Sequence, residues 1–209
     1  MTKPAEGQLG RSGFLEADAS DEFVFLRAWM RAPLVTAAML PSGRFLSRAM
    51  AAPVDPAVPG SIVELGPGTG AVTAALVERG VSPERLILIE FLPEFCEVLR
   101  RRYPTARVIS GDAFEAPDIV RDLKAGPLTA VVSCLPLYAK GPEHRERLLQ
   151  GMLDLGPKGM PFVQATNFPR SPIPFDPADI AGTASPRIWF NLFPALVWTY
   201  RLADAPARS

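Results

Sequence analysis

The sequence predicts an α/β protein built on a doubly wound, mostly parallel sheet. Short apolar runs alternate with helical segments along residues 61–166, as in strands that are buried on both faces and joined by helices. A glycine-rich turn at residues 66–70 follows the first run, and an acidic residue stands in or just after each of the first three. Because ligands bind at the carboxyl ends of such strands, these observations also indicate where the functional site lies.

Each predicted element follows from its apolar pattern and from the residues that bound it. Strands are predicted at 62–65, 85–90, 107–110, 129–134 and 162–166. Helices are predicted between them at 71–79, 93–103, 115–124 and 142–155. Proline at the first position or glycine just past the last one marks several of these helices.

Two helices are predicted before the sheet and two strands after it. Ser20 is a suitable N-cap for a helix at 21–32, and a second helix is expected at 43–52, followed by a proline-rich linker. The tail is predicted to close the sheet with strands at 187–192 and 196–202, on either side of Pro194. We therefore divide the chain into an N-terminal helical extension, 1–60, and a ligand-binding domain, 61–209.

Composition excludes several classes of protein. The 209 residues carry 22 basic and 22 acidic side chains, and this balance argues against a dedicated nucleic-acid-binding protein. The two cysteines, Cys96 and Cys134, cannot form a disulfide framework or a cysteine-rich zinc site, so we expect no metal. No stretch reaches the roughly 20 apolar residues that span a bilayer. These features predict a soluble, cytoplasmic protein.

The turn Glu64-Leu65-Gly66-Pro67-Gly68-Thr69-Gly70 indicates an adenosine-type ligand. Glu90 lies 20 residues after Gly70, where a carboxylate accepts hydrogen bonds from ribose hydroxyls. Pro67 removes a backbone N–H and Glu64 adds a negative charge, and both disfavour a pyrophosphate. A sulfonium ligand with an ammonium group suits that charge, so we expect S-adenosylmethionine rather than NAD. The alternative is that Glu64 only caps local N–H groups.

A second acidic motif, Gly111-Asp112-Ala113-Phe114, follows the third predicted strand. Asp112 can accept from an adenine amino group, while Phe114 or Phe91 can cover the ring. The alternative is that Asp112 only caps the next helix. The predicted cofactor-binding residues are Glu64, Gly66, Pro67, Gly68, Thr69, Gly70, Glu90, Phe91, Asp112, Ala113, Phe114 and Ser133.

The glycine turn, Glu90 and Asp112 together resemble class I S-adenosylmethionine-dependent methyltransferases. The resemblance implies a Rossmann-like sheet of seven strands, the last two forming an antiparallel excursion, and a loop after strand four that faces the methyl acceptor. In rRNA adenine N6-dimethyltransferases that loop resembles Asn-Leu-Pro-Tyr. Here Cys134 replaces the asparagine and Leu137 the stacking aromatic residue. An rRNA or small-molecule methyltransferase is therefore the alternative.

A second resemblance covers nearly the whole chain, to bacterial soluble-type phospholipid N-methyltransferases (Rhodobacter/Agrobacterium-like). It is carried by residues 25–30, 40–42 with Met50, the glycine turn, 111–114, 133–137, and 191–195 with Trp198, Tyr200 and Arg201. This family implies successive N-methylation of phosphatidylethanolamine, through its mono- and dimethyl intermediates, to phosphatidylcholine at the membrane surface. A lipid-binding protein that retains only a cofactor site is a second alternative.

The N-terminal segment has the charge that membrane attachment requires. Residues 23–54 contain four arginines and no acidic residue, so the other 177 residues carry a net charge of −4. Arg27 and Arg31 are one helical turn apart, with Phe25 and Trp29 covering much of the opposite surface. We predict that these four residues bind an anionic membrane surface, on the inner face of the cytoplasmic membrane. The alternative is a lid helix packed on the domain.

Methyl transfer to an amine mainly requires in-line approach of the neutral amine. Tyr138 is the predicted catalytic residue and, with Trp189, could hold a methylated ammonium by cation–π contact. The predicted substrate-binding residues are Leu137, Tyr138, Arg187, Trp189 and Arg48, with either arginine binding the lipid phosphate. Residues 167–172 are predicted to form a loop over the acceptor site, and Trp198 to pack in the core. The single histidine, His144, is expected to be exposed, so no dedicated base is predicted.

Overall fold

The computed structural model describes residues 41–189 and 194–203. Its helices are α1 (Pro41–Ala51), α2 (Ala71–Glu78), α3 (Pro93–Arg102), α4 (Ala116–Asp122) and α5 (Pro142–Leu153). Its strands are β1 (Ser61–Leu65), β2 (Leu86–Glu90), β3 (Arg107–Ser110), β4 (Leu128–Ser133), β5 (Phe162–Thr166), β6 (Ile180–Ala184) and β7 (Leu196–Leu202). Short 3-10 turns occur at Pro83–Arg85, Ala113–Glu115 and Leu137–Ala139.

The seven strands form one sheet in the order β3-β2-β1-β4-β5-β7-β6. Strands β1 to β5 are parallel, whereas β7 runs antiparallel to both β5 and β6. The strand order reverses between β1 and β4, and a crevice for a ligand opens at that point in doubly wound sheets. The predicted fold, including its antiparallel excursion, is confirmed.

The helices cover both faces of the sheet because its central strands are apolar on both sides. All five residues of β2 are buried. One core contains Leu65 and Ile89 together with α4 and α5, and the other contains Ile62 and Leu88 together with α1, α2 and α3. We call these the α5 face and the α2 face of the sheet. Successive residues of a strand point to opposite faces, so neighbouring residues contribute to different cores.

The predicted strand at 187–192 is wrong, since the antiparallel partner of β7 is β6, at 180–184. In that region Ile188 forms only an isolated bridge with Ala195, and residues 190–193 lie outside the described residues. The sequence Ile-Ala-Gly-Thr-Ala of β6 has a single buried residue, Ile180, and therefore lacks the apolar pattern that reveals a strand. Gly182 lies beneath the ring of Phe175, where a Cβ would be 2.5 Å from Cζ.

The predicted helix at 21–32 and the four predicted membrane-binding residues, Phe25, Arg27, Trp29 and Arg31, lie outside the described residues. The predicted helix at 43–52 corresponds to α1, whose Met50 and Ala51 are buried in the core of the α2 face. The division of the chain near residue 60 stays a prediction. Within the described parts of the chain, no helix is long and apolar enough to cross a membrane.

Candidate functional site

The glycine turn is held against the end of β2 by the carboxylate of Glu90. Gly68 donates its backbone N–H to Oε2 of Glu90 and Leu92 donates its own to Oε1, each at 2.9 Å. Glu90 is fully buried, and this burial raises its pKa. The turn itself requires glycine at residue 68, where φ is +56° and a Cβ would point into open space. A ligand can therefore approach the backbone closely at this residue.

The same turn contacts the loop that follows β4. Gly66, with φ +66°, lies so close to Leu135 that a Cβ would be 2.9 Å from its Cδ2 atom. The backbone continues this connection, because Cys134 donates its N–H to the carbonyl of Leu65 at 2.8 Å. The turn predicted to bind the cofactor and the loop predicted to face the methyl acceptor are thus in direct contact.

Glu64 lies on the α2 face, where it is fully buried. The hydroxyl of Thr73 donates to its Oε2 atom at 2.7 Å, and its Oε1 atom has no hydrogen-bond partner among the described residues. Burial away from water raises the pKa of this carboxyl from 4.5 to about 8. Glu64 is therefore mainly protonated at neutral pH, and a cation placed at Oε1 would favour its ionised form.

The third predicted acidic residue, Asp112, forms a local cap. Its Oδ1 atom accepts the backbone N–H of Phe114 at 2.9 Å, while the side chain remains exposed. The cap uses one of the two carboxylate oxygens, so the capping alternative and the adenine assignment are compatible. Ala113 is buried, and the ring of Phe114 lies 5.8 Å from Nζ of Lys140.

These residues suit the S-adenosylmethionine that the sequence predicts. The partnerless Oε1 atom of Glu64 matches an ammonium group, and the open space beside Gly68 admits a ligand at the turn. Glu90 and Asp112 would face the ribose and the adenine. When bound, the cofactor supplies a methyl group that is already activated by its sulfonium. The role of this part of the chain is to bind and orient it.

Tyr138 lies in the loop after β4 and forms an aromatic pair at the surface. Its ring lies 4.6 Å from that of Phe168 at an angle of 62°, and both side chains are about half exposed. The guanidinium of Arg145, on α5, lies 5.1 Å from the Tyr138 ring and donates to the carbonyl of Pro172. The loop at 167–172 thus reaches Tyr138.

The other predicted substrate-binding residues lie elsewhere. Leu137 is only 2% exposed and packs in the core of the α5 face. Arg187 lies 5.7 Å from the ring of the exposed Trp189. Arg48 forms an ion pair with Glu78 at 3.3 Å on the α2 face. These arginines and Tyr138 therefore belong to three separate groups of contacts.

Arg48 also lines a cavity of about 260 Å³ between α1 and α2. The cavity reaches the glycine turn at Thr69 and includes two further cations, Arg44 and Arg102. Arg102 donates to the carbonyl of Thr69 at 3.3 Å. Glu78, the ion-pair partner of Arg48, lines the same cavity, so the cavity contains charges of both signs.

Two buried polar residues beneath the loop carry oxygens without partners. Ser133 ends β4 and is fully buried, and its Oγ atom has no hydrogen-bond partner within the described chain. Gln164 is 2% exposed, and its Nε2 atom donates to the carbonyl of Leu135 at 3.1 Å. Its Oε1 atom has no hydrogen-bond partner among the described residues. Burial of these two oxygens without a hydrogen-bond partner makes the free energy of folding less favourable.

Thr73 and Gln164 are site residues that were not predicted from the sequence. Nothing in a helical pattern distinguishes Thr73 from an ordinary buried residue, because its role depends on Glu64 across the core. Gln164 did give a signal, since it interrupts the apolar run Phe-Val-Gln-Ala in β5. A polar residue inside a doubly buried strand requires an explanation.

No family model matches the chain. The chain is 30% identical over 154 residues to an ornithine lipid N-methyltransferase of Singulisphaera acidiphila, an alignment that covers 71% of this chain and 79% of that protein. It is 44% identical over 55 residues to a ribosomal RNA small subunit methyltransferase A of Maridesulfovibrio salexigens, covering 26% of this chain and 20% of that one.

Among solved structures, the fold is similar to a 1,6-didemethyltoxoflavin-N1-methyltransferase of Burkholderia thailandensis with bound S-adenosylhomocysteine. The TM-score is 0.60 at 17% identity, and the alignment covers 96% of this chain and 94% of the other. A likeness at this identity concerns the fold alone. The match to the Singulisphaera protein, at 30% identity over most of both chains, bears on the family.

Proposed function

The chain belongs to the class I S-adenosylmethionine-dependent methyltransferases and uses S-adenosylmethionine as its cofactor; from this we propose that it N-methylates the amine of a membrane lipid. The proposed acceptors are phosphatidylethanolamine and its mono- and dimethyl derivatives, and the end product is phosphatidylcholine. The observation that carries the proposal is the 30% identity to a lipid N-methyltransferase over most of both chains. The RNA alternative has only a 55-residue match in its favour.

The acceptor side of the site supports an amine that becomes a methylated cation. Tyr138 and Phe168 present exposed aromatic rings next to the loop after β4. Aromatic faces attract quaternary ammonium groups, which are poorly hydrated. Arg145 lies 5.1 Å from the Tyr138 ring, so a methylated headgroup would have to use the ring face that Arg145 leaves open or the ring of Phe168. The same aromatic pair could hold the methylated headgroup.

Ornithine lipid is the second candidate acceptor, favoured by the similarity to the Singulisphaera ornithine lipid N-methyltransferase. It shares with phosphatidylethanolamine a primary amine near an anionic group. The two lipids differ in that group, which is a carboxylate in one and a phosphate in the other. Recognition of the amine alone does not separate them.

The test is methyl transfer from labelled S-adenosylmethionine to liposomes that contain phosphatidylethanolamine, ornithine lipid or neither. We expect label in the phosphatidylethanolamine fraction, moving with time into mono-, di- and trimethylated lipid. Label in ornithine lipid alone would select the second candidate. Label only in added ribosomal RNA, or cofactor binding without any transfer, would refute lipid N-methylation.

We further propose that the protein works while attached to an anionic membrane surface. The described part of the basic segment supports this, because Arg44, Phe45 and Arg48 are exposed on α1 and Phe45 is 54% exposed. Each basic residue near such a surface contributes about 1 kcal/mol, so the attachment is reversible. A variant lacking residues 1–40 keeps α1 but loses Arg27, Arg31 and the predicted aromatic anchors, so it should sediment much less with anionic liposomes. Sedimentation equal to that of the full chain would mean that attachment lies elsewhere.

A further inference from the structure

Three polar atoms without partners lie in one row across the sheet. Strand register pairs Leu65 with Ser133, Ser133 with Gln164, and Gln164 with Trp198. Paired residues of adjacent strands lie side by side with their side chains on the same face, here the α5 face. Within the described chain, Oγ of Ser133, Oε1 of Gln164 and Nε1 of Trp198 are all buried and lack a hydrogen-bond partner.

The row lies directly under the loop that follows β4, so a ligand can reach its two oxygens only when that loop moves aside. The Nε2 atom of Gln164 donates to the carbonyls of Leu135 and Ala165, at 3.1 and 2.8 Å, which directs this amide toward the loop. Both hydrogens of the amide nitrogen are thereby used, and the carbonyl oxygen remains. In one row the chain thus offers two neutral acceptors and one donor.

We propose that Ser133 and Gln164 form the amine-binding subsite of the methyl acceptor, with Oγ and Oε1 accepting the N–H groups of its neutral primary or secondary amine. This inference rests on the proposed lipid N-methylation and adds where the amine binds. Ser133, predicted from the sequence to bind the cofactor, is thereby assigned to the amine. Cys134 stands where rRNA adenine N6-dimethyltransferases have an asparagine, and its side chain has no oxygen. The hydroxyl oxygen of the neighbouring Ser133 would take that role.

Uncharged acceptors suit the chemistry better than a carboxylate would. The attacking nitrogen must present its lone pair to the sulfonium methyl group, so it has to be deprotonated. A carboxylate would stabilise the ammonium form, whereas an amide and a hydroxyl oxygen accept N–H groups without favouring that charge. In the transfer, the nitrogen–carbon bond forms as the sulfur–carbon bond breaks, and the electron pair of the latter stays on sulfur. The resulting ammonium then loses a proton to solvent before the next transfer.

The competing explanation is that the row is structural, with small movements joining Ser133 to Gln164 or Gln164 to Trp198. The two explanations make opposite predictions for Ser133→Ala. If the hydroxyl is partnerless, its removal leaves the protein as stable as before or more stable. If it bonds to Gln164, its removal lowers the melting temperature.

The experiment compares Ser133→Ala, Gln164→Met and Gln164→Glu with wild type. The control is Gln150→Leu, which removes an amide that donates to Asp154 on the surface of α5. For each protein we would measure S-adenosylmethionine affinity by calorimetry, melting temperature, and kcat and KM on phosphatidylethanolamine liposomes. We expect Ser133→Ala to retain cofactor affinity and melting temperature while kcat/KM for the lipid falls about tenfold, the effect of one lost hydrogen bond. Gln164→Met should lose at least as much, and the control should lose nothing.

The pH profile gives a readout that a structural role would not change. Gln164→Glu should shift the rise of kcat/KM to higher pH, because a carboxylate holds the amine protonated. Wild-type kinetics in Ser133→Ala and Gln164→Met, or an equal loss of cofactor affinity and lipid activity, would overturn the proposal. If wild type itself transfers no methyl group to any lipid amine, the proposed function fails first, and that result is distinct from these.

Discussion

Because the carboxyl of Glu64 is buried, we expect both the free energy of unfolding and the cofactor affinity to depend on pH. Its pKa is raised from 4.5 to about 8, and Thr73 is the one residue whose side chain donates to it in the described chain. The folded state therefore binds a proton that the unfolded chain releases, and stability falls as pH rises from about 4.5 to about 8. At about 1.4 kcal/mol per pKa unit, the penalty is about 3 kcal/mol at pH 7 and about 5 kcal/mol at pH 9.

Glu64→Gln removes that penalty because the amide has nearly the same shape and no charge. We expect the variant to match wild type within about 1 kcal/mol at pH 4.5 and to exceed its stability by about 3 kcal/mol at pH 7. Urea unfolding followed by tryptophan fluorescence at several pH values measures the difference. Glu97→Gln, at an exposed position on α3, is the matched control and should show no such trend.

The same variant should bind S-adenosylmethionine more weakly. A cation at Oε1 of Glu64 favours the ionised carboxylate, so binding to wild type should release a proton and strengthen between pH 6 and pH 8. Calorimetry in buffers of different ionisation enthalpy measures the released proton. A stability difference between Glu64→Gln and wild type that does not change with pH would refute the raised pKa. Unchanged cofactor affinity would refute the placement of the ammonium group.

The remaining predictions concern other parts of the site and the sheet. Glu90→Ala should weaken S-adenosylmethionine binding and destabilise the fold by about 2 kcal/mol, because two backbone N–H groups lose their acceptor. Glu90→Gln should lose less affinity and less stability. Unchanged calorimetric affinity in the alanine variant would contradict the ribose assignment. Gly182→Ala should lower stability by about 1–3 kcal/mol, because its Cβ would overlap the ring of Phe175; thermal unfolding equal to wild type would show that the ring can move. Tyr138→Ala should lower kcat/KM for the lipid about tenfold with cofactor affinity unchanged, and Tyr138→Phe should restore it, because the ring and not the hydroxyl makes the cation–π contact.

The parallel part of the sheet could be predicted because its signal is local. Leu-Ile-Leu-Ile-Glu is a strand that is buried on both faces and ends in a carboxylate, and nothing else in the region competes with that interpretation. The glycine turn also has a local cause, since φ is positive at three of its residues. In both places the residues that determine the structure are neighbours in sequence.

The parts of the fold and site that were not predicted are determined by contacts between residues that are distant in sequence. Strand β6 has no apolar pattern and is specified by its pairing with β7 and by the packing of Phe175 over Gly182. The neighbours of Ser133 are set by the register of β4 with β5. Because a helix and not a short turn joins these two strands, the connecting sequence does not reveal the register. The side chain of Leu137 turns into the core for the same kind of reason, because the loop is tied to Gln164 through Leu135.

Strand alternation separates the two kinds of polar group at the site. Glu64 and Leu65 are adjacent, so the carboxyl points to the α2 face while the row that contains Ser133 and Gln164 points to the α5 face. The ionisable oxygen is therefore on the side assigned to the cofactor, and the neutral oxygens are on the side assigned to the amine. Two unit positive charges 5 Å apart repel by about 3 kcal/mol at an effective dielectric constant of 20, equivalent to about two pKa units. A sulfonium close to the bound amine would thus lower the pKa of that amine and favour its neutral form, so the site needs acceptors for its N–H groups more than it needs a base.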